Sequence, residues 1–168
     1  MTLVSRDVEL LEGVADILEV KTKLVPHRGG YSKTGVFHIM FGDLLFCDWL
    51  IGIGVTPRKT HTIGSITVPD SLFADFLRGH LDGDGSIITY VDHYNTKLKA
   101  SYVYQRLYVK FVSASRAHVE WLRASMKRIL GIDGYLTVQR RAEGQRAALF
   151  GLCLAKRDAI HLLRRLYY

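Results

Sequence analysis

The stretch PDSLFADFLRGHLDGDGSI, residues 69–87, carries most of the information about the fold. Pro69 followed by Asp70 is typical of a helix start, because proline fits the first helical turn and a short polar side chain can cap it. At helical spacing the apolar and small residues form two faces, one with Leu72, Phe76, Gly79 and Gly83 and the other with Phe73, Leu77 and Leu81. We therefore expect a helix over roughly residues 70–84 that is buried on two sides.

Gly79 and Gly83 stand four residues apart, so they lie on one side of this helix. Glycine weakens a helix by about 1 kcal/mol relative to alanine. Two glycines on one face indicate that another backbone approaches closely there, as in small-xxx-small packing. We expect this face, together with Leu72 and Phe76, to be the interface with a second helix.

Asp82 and Asp84 stand at the end of the same helix, where the negative end of the helix dipole disfavours carboxylates. A bound divalent cation would remove this penalty, because Mg²⁺ and Ca²⁺ prefer oxygen ligands. Two plainer interpretations stay open: helical ion pairs among Asp75, Arg78 and Asp82, or a simple turn in DGDG. An EF-hand is excluded, because the loop lacks the glycine and the final acid that this site requires.

The second half of the chain has the order helix, two strands, helix. Residues 115–130 (SRAHVEWLRASMKRIL) have the apolar spacing of an amphipathic helix, and residues 155–168 close the chain as another. Between them, YLTVQRR and ALFGLCL read as strands around the turn AEGQ. A further helix and a hairpin at roughly 86–112 precede this unit.

The first half shows the same order in a shorter form. Residues 5–18 and 42–54 read as helices, with strands in KTKLVPHR and VFHIM between them. Corresponding residues stand 112 positions apart, as Leu24 and Leu136 do, and this constant offset favours duplication. We predict a partial repeat over residues 1–60 that lacks its leading helix and first strand, a linker at 61–68, and a complete repeat over 69–168.

Several predicted strands are apolar on one face and basic, aromatic or polar on the other. In YQRLYVKFV, Arg106, Tyr108 and Lys110 alternate with apolar residues, and the same alternation continues in YLTVQRR. An antiparallel sheet of this kind has one dry face against helices and one wet face. Such a β-ribbon can enter the major groove of DNA, where arginine, glutamine and threonine contact base edges, although a solvated sheet face gives the same alternation.

The composition agrees with a nucleic-acid partner. Lysine and arginine total 23 against 16 acidic residues, a net charge of +7, and a basic surface favours polyanions. No apolar run reaches the roughly 20 residues of a membrane span, and the N-terminus lacks a signal-peptide pattern. We expect no membrane partner and a cytoplasmic or organellar location. Cys47, Cys153, Trp49 and Trp121 are expected in the core.

The segment LRGHLDGDG, Leu77 to Gly85, closely resembles the motif of the LAGLIDADG homing endonucleases, and the following SI fits it too. In that family the acid before the final glycine binds the catalytic metal, so the resemblance assigns Asp84 to this role. Asp82 resembles the structural aspartate that ends the motif helix. The segment GVTPRKT is also similar to family sequence, and its Lys59 resembles a basic residue near the scissile phosphate.

The resemblance implies an α+β fold, an αββαββα repeat with a DNA-facing antiparallel saddle sheet, preceded by a partial copy. It also implies a site-specific double-stranded DNA endonuclease, an intron-encoded one, that uses Mg²⁺, with Ca²⁺ or Mn²⁺ able to substitute in binding. Asp84 and Lys59 are the expected catalytic residues. The expected DNA-binding residues are Ser86, Ile88, Tyr90, Arg106, Tyr108, Lys110, Thr137, Gln139, Arg141, Lys21 and Lys23.

The family site takes one acid from each of two motif helices, whereas this sequence contains one motif. Two chains could pair as a homodimer through Leu72, Phe76, Gly79 and Gly83, which is the arrangement we rank first. A separate chain could instead supply the second motif helix, or the missing part could have been lost. In that last case the protein would be a non-cleaving DNA- or RNA-binding relative, such as an intron maturase, a regulator or an inactive remnant.

Overall fold

A computed structural model of the protein describes residues 1–27, 35–139 and 148–168. The chain forms two compact units, Met1–Leu50 and Ile51–Tyr168. Together they give the predicted α+β architecture with antiparallel sheets. Within the described ranges, no helix has the length and apolar character needed to cross a membrane.

The larger unit has the predicted αββαββα order. A single 3-10 turn, Asp70–Leu72, leads into the first helix. The elements that follow are α3 (Phe73–Asp84), β4 (Ser86–Asp92), β5 (Tyr104–Ser113), α4 (Arg116–Leu130), β6 (Tyr135–Gln139), β7 (Leu149–Ala155) and α5 (Lys156–Tyr167). The N-cap of α4 is Ser115, whose side chain accepts a hydrogen bond from the His118 backbone N–H, and Gly131 ends the helix in the left-handed conformation that glycine tolerates.

The four strands of this unit form one antiparallel sheet in the order β4-β5-β7-β6. Helices α3, α4 and α5 all pack against one face of it. That face is dry: Val109 and Phe111 of β5 pair with Leu154 and Leu152 of β7, and all four are fully buried. The opposite face carries no helix of this unit and is called the open face below.

One side of α3 supplies the core, as the apolar spacing predicts. Phe73, Leu77 and Leu81 are buried among the side chains of α4, α5 and the sheet. The other side is covered only in part: Phe76 is half-buried, and Leu72 remains 53% exposed. Among the described residues, the expected burial is therefore complete on one side of α3 and partial on the other.

The smaller unit has the order β1 (Thr2–Ser5), α1 (Val8–Ile17), β2 (Val25–Pro26), β3 (Phe37–Met40) and α2 (Leu44–Gly52), and the last two residues of α2 lie beyond the unit boundary. Its sheet order, β1-β3-β2, repeats the β5-β7-β6 order of the larger unit. The boundary between the units follows Leu50, inside the stretch assigned above to the first repeat. The division into repeats stays a prediction.

The smaller unit has few buried residues, and none of them lies on α2. Leu11 and Ile39 are its fully buried apolar residues within the described part of the chain. Helix α2 is apolar around most of its circumference but has no buried residue, and Trp49 is 56% exposed. The prediction that Trp49 is a core residue is wrong, and Cys47 is only half-buried, whereas Cys153 in the larger unit is buried as expected.

The strand predicted over residues 21–28 is shorter in the structure, where β2 contains only Val25 and Pro26. The Thr22 hydroxyl explains the difference. It donates to the Met40 carbonyl at 2.9 Å and accepts from the Met40 N–H at 3.3 Å. This side chain takes the β3 backbone groups that a longer strand would have paired.

Asp133 stabilises the connection between α4 and β6. Its carboxylate accepts hydrogen bonds from Arg123 at 2.7 Å, from Lys127 at 2.9 Å and from the Gly134 N–H at 2.9 Å. The Arg123 hydrogen bond, followed by that of Lys127, holds the pKa of the Asp133 carboxyl well below its usual range. Because the folded-state pKa is lowered, this stabilisation is present above about pH 4 and is lost on further acidification.

We expect Asp133→Asn to lower the free energy of unfolding by about 1 kcal/mol at pH 7, a value discounted for partial solvent screening. Urea unfolding of the two proteins at about pH 7 and about pH 3 measures this difference. It should shrink at the lower pH, because the native carboxylate is then losing its advantage. A difference that is equal at both pH values would contradict the assignment.

Candidate active site and nucleic-acid interface

Helix α3 ends so that Asp84 reaches solvent at the edge of the sheet. Gly85 leaves the helix in an extended conformation, and its N–H donates to the Leu81 carbonyl at 3.0 Å. A Cβ at position 85 would lie 2.5 Å from the Leu81 side chain and 2.6 Å from its carbonyl oxygen, so the tight exit requires glycine. The Asp84 side chain is exposed and makes no hydrogen bond or ion pair within the part of the chain that the structure describes.

Asp82 has a different environment from Asp84. The Tyr167 hydroxyl of α5 donates a hydrogen bond to the Asp82 carboxylate, which ties the end of α3 to the last turn of α5. This bond raises the pKa of Tyr167 to about 12, because ionisation of the phenol would remove the donor. Of the helical ion pairs considered above, Arg78 forms one with Asp75 at 2.9 Å.

Lys59 and Asp84, 25 positions apart in the sequence, line one pocket of about 450 Å³ within the larger unit. Its other polar or small lining residues include Asp75, His80 and His118, together with the two motif glycines. The pocket therefore has a cation and carboxylates around an open space beside the motif helix. We call it the α3 pocket.

The segment that carries Lys59 is held in a compact turn. The Lys59 carbonyl accepts from the N–H groups of Thr62 and Ile63 at 3.0 and 2.8 Å. Upstream, Gly54 has a φ of +102°, and a Cβ there would lie 2.5 Å from the Ser65 carbonyl oxygen. The glycine thus allows the two ends of the segment to lie against each other.

Two histidines in the α3 pocket were not found from the sequence. His80 of α3 and His118 of α4 have their Nε2 atoms 3.3 Å apart, and their rings stack at 5.5 Å between centroids. Burial lowers the pKa of His118, and the nearby positive charge of Lys59 acts in the same direction. A spacing of 38 residues is not a recognised ligand or catalytic pattern, so sequence reasoning had no signal for this pair.

The sheet register brings eight of the predicted DNA-binding residues to the open face. In the ladder between β4 and β5, Ser86 pairs with Lys110, Ile88 with Tyr108, and Tyr90 with Arg106. On the other side of β5, Lys110 pairs with Cys153, which also pairs with Tyr135 of β6. Because side chains alternate along a strand, Thr137 and Gln139 share the face of Tyr135.

Arg106 is more constrained than its exposure suggests. It forms an ion pair with Asp92 at 2.9 Å, and its guanidinium lies 5.3 Å from the Tyr104 ring centroid. The Asp92 hydrogen bond raises the pKa of Arg106, while the pKa of Asp92 is lowered first by the Tyr94 N–H and then by Arg106. Asp92 was not predicted as a site residue from the sequence, but it orients Arg106, which was predicted to bind DNA.

Gly151 of β7 creates room in the middle of the open face. A Cβ at this position would lie 2.6 Å from the Thr137 hydroxyl and 3.0 Å from Cε of Lys110. The glycine therefore lets side chains from β5 and β6 lie across β7. Nearby, a hydrogen bond with Cys153 raises the pKa of Tyr135 to about 12, so this phenol stays protonated at neutral pH.

Three predicted DNA-binding residues are not part of this described surface. Lys21 and Lys23 belong to the smaller unit, where both are exposed ahead of β2. Arg141 lies outside the described residues.

The outer side of α3 is the predicted helix interface. A Cβ built on Gly79 or Gly83 would meet no atom of the described residues within 4 Å. Phe76 is half-buried, because it stacks on Phe73 at 6.0 Å and meets Trp121 edge-on at 5.7 Å. The glycine side of the helix is therefore open, as contact with a second helix would require.

The side chains around Asp84 limit the kind of metal site that one chain can form. Among the described residues, no group of three or more histidine, cysteine or acidic side chains could hold a metal ion. Mg²⁺, however, is commonly bound by one or two protein carboxylates, with water and substrate phosphates completing the shell. The exposed Asp84 carboxylate fits that mode as one protein ligand.

Comparison with solved structures gives the following likenesses. I-DmoI in complex with DNA and Mn aligns over 100% of this chain and 81% of that chain, with a TM-score of 0.60 and 14% identity. I-SmaMI bound to uncleaveable DNA aligns over 99% of this chain and 72% of that chain, with a TM-score of 0.58 and 15% identity. For I-CvuI bound to DNA with Mg, the likeness covers 58% of this chain and 55% of that chain, about half its length, with a TM-score of 0.40 and 22% identity.

At these identities the likeness is one of fold. The chain has the fold of the LAGLIDADG homing endonucleases, as the motif predicted. No protein-family model and no curated protein sequence matches the chain.

Proposed function

We propose that this chain, which has the LAGLIDADG homing-endonuclease fold, is a site-specific double-stranded DNA endonuclease that uses a divalent metal. The observation that carries the proposal is the α3 pocket, which Lys59 and Asp84 line together at the edge of the open face. A carboxylate and a cation beside a basic, aromatic sheet suit the hydrolysis of a phosphodiester bound to that sheet. I-DmoI and I-SmaMI, which share the fold, are recorded in complexes with DNA.

The open face supplies chemistry for both affinity and recognition. Lys110 and Arg106 offer positive charge to phosphates or bidentate contacts to guanine, and Gln139 can pair with adenine. Ile88 is 43% exposed and can contact a thymine methyl group. A twisted antiparallel sheet with this surface fits the major groove, in which each base pair presents a distinct pattern of donors and acceptors.

The roles of the pocket residues follow from their charges and surroundings. Asp84 would hold the metal, which supplies an activated water and neutralises charge on the leaving oxygen when bound. Lys59 stabilises the negative charge that develops on the phosphorus oxygens. Asp82 has a structural role, because its carboxylate is engaged by Tyr167.

A second motif helix is needed to supply a second carboxylate. We propose a homodimer in which the Gly79 and Gly83 sides of two α3 helices pack together and bring two Asp84 carboxylates close. Such a dimer has twofold symmetry and would recognise a roughly palindromic DNA site. A separate chain carrying its own motif helix is the alternative source.

A non-cleaving DNA- or RNA-binding protein is the second candidate function. It is favoured by one observation: the sequence contains one LAGLIDADG-like motif, so a single chain supplies one motif carboxylate, Asp84. A protein of this kind would use the open face for binding and the α3 pocket would have no reaction to perform.

The deciding experiment combines solution mass with a nicking assay. Light scattering measures the molar mass of the purified chain in solution with and without bulk DNA and Mg²⁺. The same samples are then incubated with a plasmid library to test for nicking. A dimer that nicks DNA supports the endonuclease. A stable monomer that binds DNA without nicking it supports the non-cleaving candidate, and a chain that does not bind DNA at about 50 mM salt overturns both.

The open face can be tested separately through the salt dependence of binding. We expect Lys110→Gln to weaken DNA binding about 3- to 10-fold and to reduce the log–log salt slope by roughly 1, because one phosphate contact is lost. Arg165→Gln, on a helix of the opposite face, removes the same charge and is the matched control. Equal losses in the two variants would show that only net charge matters and would contradict the assignment of the face.

A further inference from the structure

Two hydrogen bonds from buried side chains join the N-terminus of α4 to residues 59–64, which we call the Lys59 segment. Ser115, 4% exposed, donates its hydroxyl to the Ile63 carbonyl, and His118, 3% exposed, bonds through Nδ1 to the Gly64 carbonyl at 2.9 Å. The Ile63 N–H in turn donates to the Lys59 carbonyl at 2.8 Å. The carbonyls of Ile63 and Gly64 are therefore fixed to α4, and a single backbone turn connects them to Lys59.

The hydrogen-bond partners determine the protonation of the histidine pair. A carbonyl only accepts, so Nδ1 of His118 carries the proton that bonds Gly64. Neutral His118 then presents a bare Nε2, which accepts from the Nε2–H of His80 across 3.3 Å. The resulting chain runs from the Gly64 carbonyl through His118 to His80, which is one helical turn before Asp84 on α3.

Aromatic side chains hold both rings in place. His118 stacks on Trp121 at 5.3 Å, and His80 meets Phe111 edge-on at 5.5 Å and Phe76 edge-on at 6.1 Å. Burial lowers the pKa of His118, which keeps it neutral and able to make both bonds at neutral pH. The pair thus acts as a rigid link between the Lys59 segment and the motif helix.

We propose that His118 is a positioning residue, which holds the Lys59 segment against the motif helix so that Lys59 and Asp84 face the same pocket. The inference rests on the proposed endonuclease function for its consequence in catalysis, although the anchoring itself does not. A displacement of about 1 Å in a group that stabilises a transition state can cost on the order of 100-fold in rate. His118 would therefore affect cleavage through Lys59, with little effect on DNA affinity.

A double-mutant cycle tests this inference on the full-length chain. We expect His118→Phe to slow single-turnover nicking about 10- to 100-fold at unchanged DNA affinity. In a Lys59→Met background the same change should cost less than about 3-fold, because the residue it positions is gone. His118→Asn, which can still donate to the Gly64 carbonyl, should recover most of the rate. The proposal is overturned if His118→Phe slows nicking by the same factor with and without Lys59→Met, or if His118→Phe alone does not slow nicking.

Hydrogen exchange supplies a readout that does not require activity. In His118→Phe the amides of residues 59–67 should exchange faster, while the amides of β5 and β7 keep their protection. His161→Phe, an exposed position on α5, is the matched histidine-to-phenylalanine control and should change neither region. Unchanged exchange at 59–67, or a uniform increase over the whole chain, overturns the anchoring. If the wild-type chain does not nick DNA, the endonuclease proposal fails, and the exchange result alone decides whether His118 anchors the segment.

Discussion

Asp84→Asn is expected to slow DNA nicking by on the order of 1,000-fold while DNA binding stays within about 3-fold of the wild type. An amide is a poor ligand for Mg²⁺ compared with a carboxylate, so the loss falls on the chemical step. Asp84 is exposed and makes no hydrogen bond or ion pair with the described residues, so the substitution removes no contact that supports the fold. Single-turnover nicking and a binding titration in Ca²⁺, run on the same preparation, separate the two effects.

Asp82→Asn is the matched control, because it changes an identical side chain two positions away on the same helix. Asp82 accepts the Tyr167 hydroxyl, and its substitution should mainly lower stability and bring the Tyr167 pKa down from about 12 towards that of a free phenol. We expect less than about a 10-fold change in nicking for this variant. A wild-type nicking rate in Asp84→Asn would show that Asp84 does not hold the catalytic metal. A larger loss of nicking in Asp82→Asn than in Asp84→Asn would assign that role to Asp82 instead.

The second large effect concerns the open side of α3. We expect the double variant Gly79→Leu/Gly83→Leu to raise the dimer dissociation constant by at least about 100-fold, because leucines prevent two helix backbones from approaching closely. Nicking should be abolished as well, both through the lost dimer and because the leucines enter the α3 pocket. The same change should leave the single chain folded and its helix slightly more stable. A Cβ at either position would have no neighbour among the described residues within 4 Å, and glycine costs a helix about 1 kcal/mol relative to good helix formers.

Sedimentation equilibrium and thermal unfolding of the variant measure association and stability separately. Gly13→Leu, at a helical glycine of α1 that also has open space around it, is the matched control and should leave the mass unchanged. A dimer that persists in the double variant would place its interface elsewhere. Loss of folding in the double variant would show that the glycine side is packed within the chain.

The spacing of apolar residues along the sequence was sufficient to predict the order of the helices and strands and the faces of several of them. The apolar spacing of Phe73, Leu77 and Leu81 predicted one buried side of the motif helix, which the structure confirms, and alternation in β5 predicted which residues share the open face. Both follow from the fixed geometry of helices and strands, so they can be read from the sequence without knowing what packs against them. The αββαββα order followed from the same patterns and from the resemblance of LRGHLDGDG to a known motif.

Apolar spacing did not predict correctly which apolar residues are buried. Trp49 lies on a helix as apolar as any core helix, but no residue of that helix is buried and Trp49 is 56% exposed. Leu72 likewise has the spacing of a buried residue and remains 53% exposed, whereas Phe76 on the same side is half-buried against Trp121. Apolar spacing shows which face is suited to burial and does not show whether a partner is present.

The sequence by itself thus determined the order of the elements and the two faces of the sheet, and its resemblance to a known motif predicted Asp84 as a metal ligand. Only the tertiary structure decided which distant residues come together: Lys59 and Asp84 line one pocket, His80 contacts His118, and Tyr167 donates a hydrogen bond to Asp82. The physical reason is that periodicity relates residues within one or two turns, whereas these pairs are 25 to 85 positions apart in the sequence. Such contacts depend on strand register and on how three helices share one sheet face, and those are properties of the folded chain as a whole.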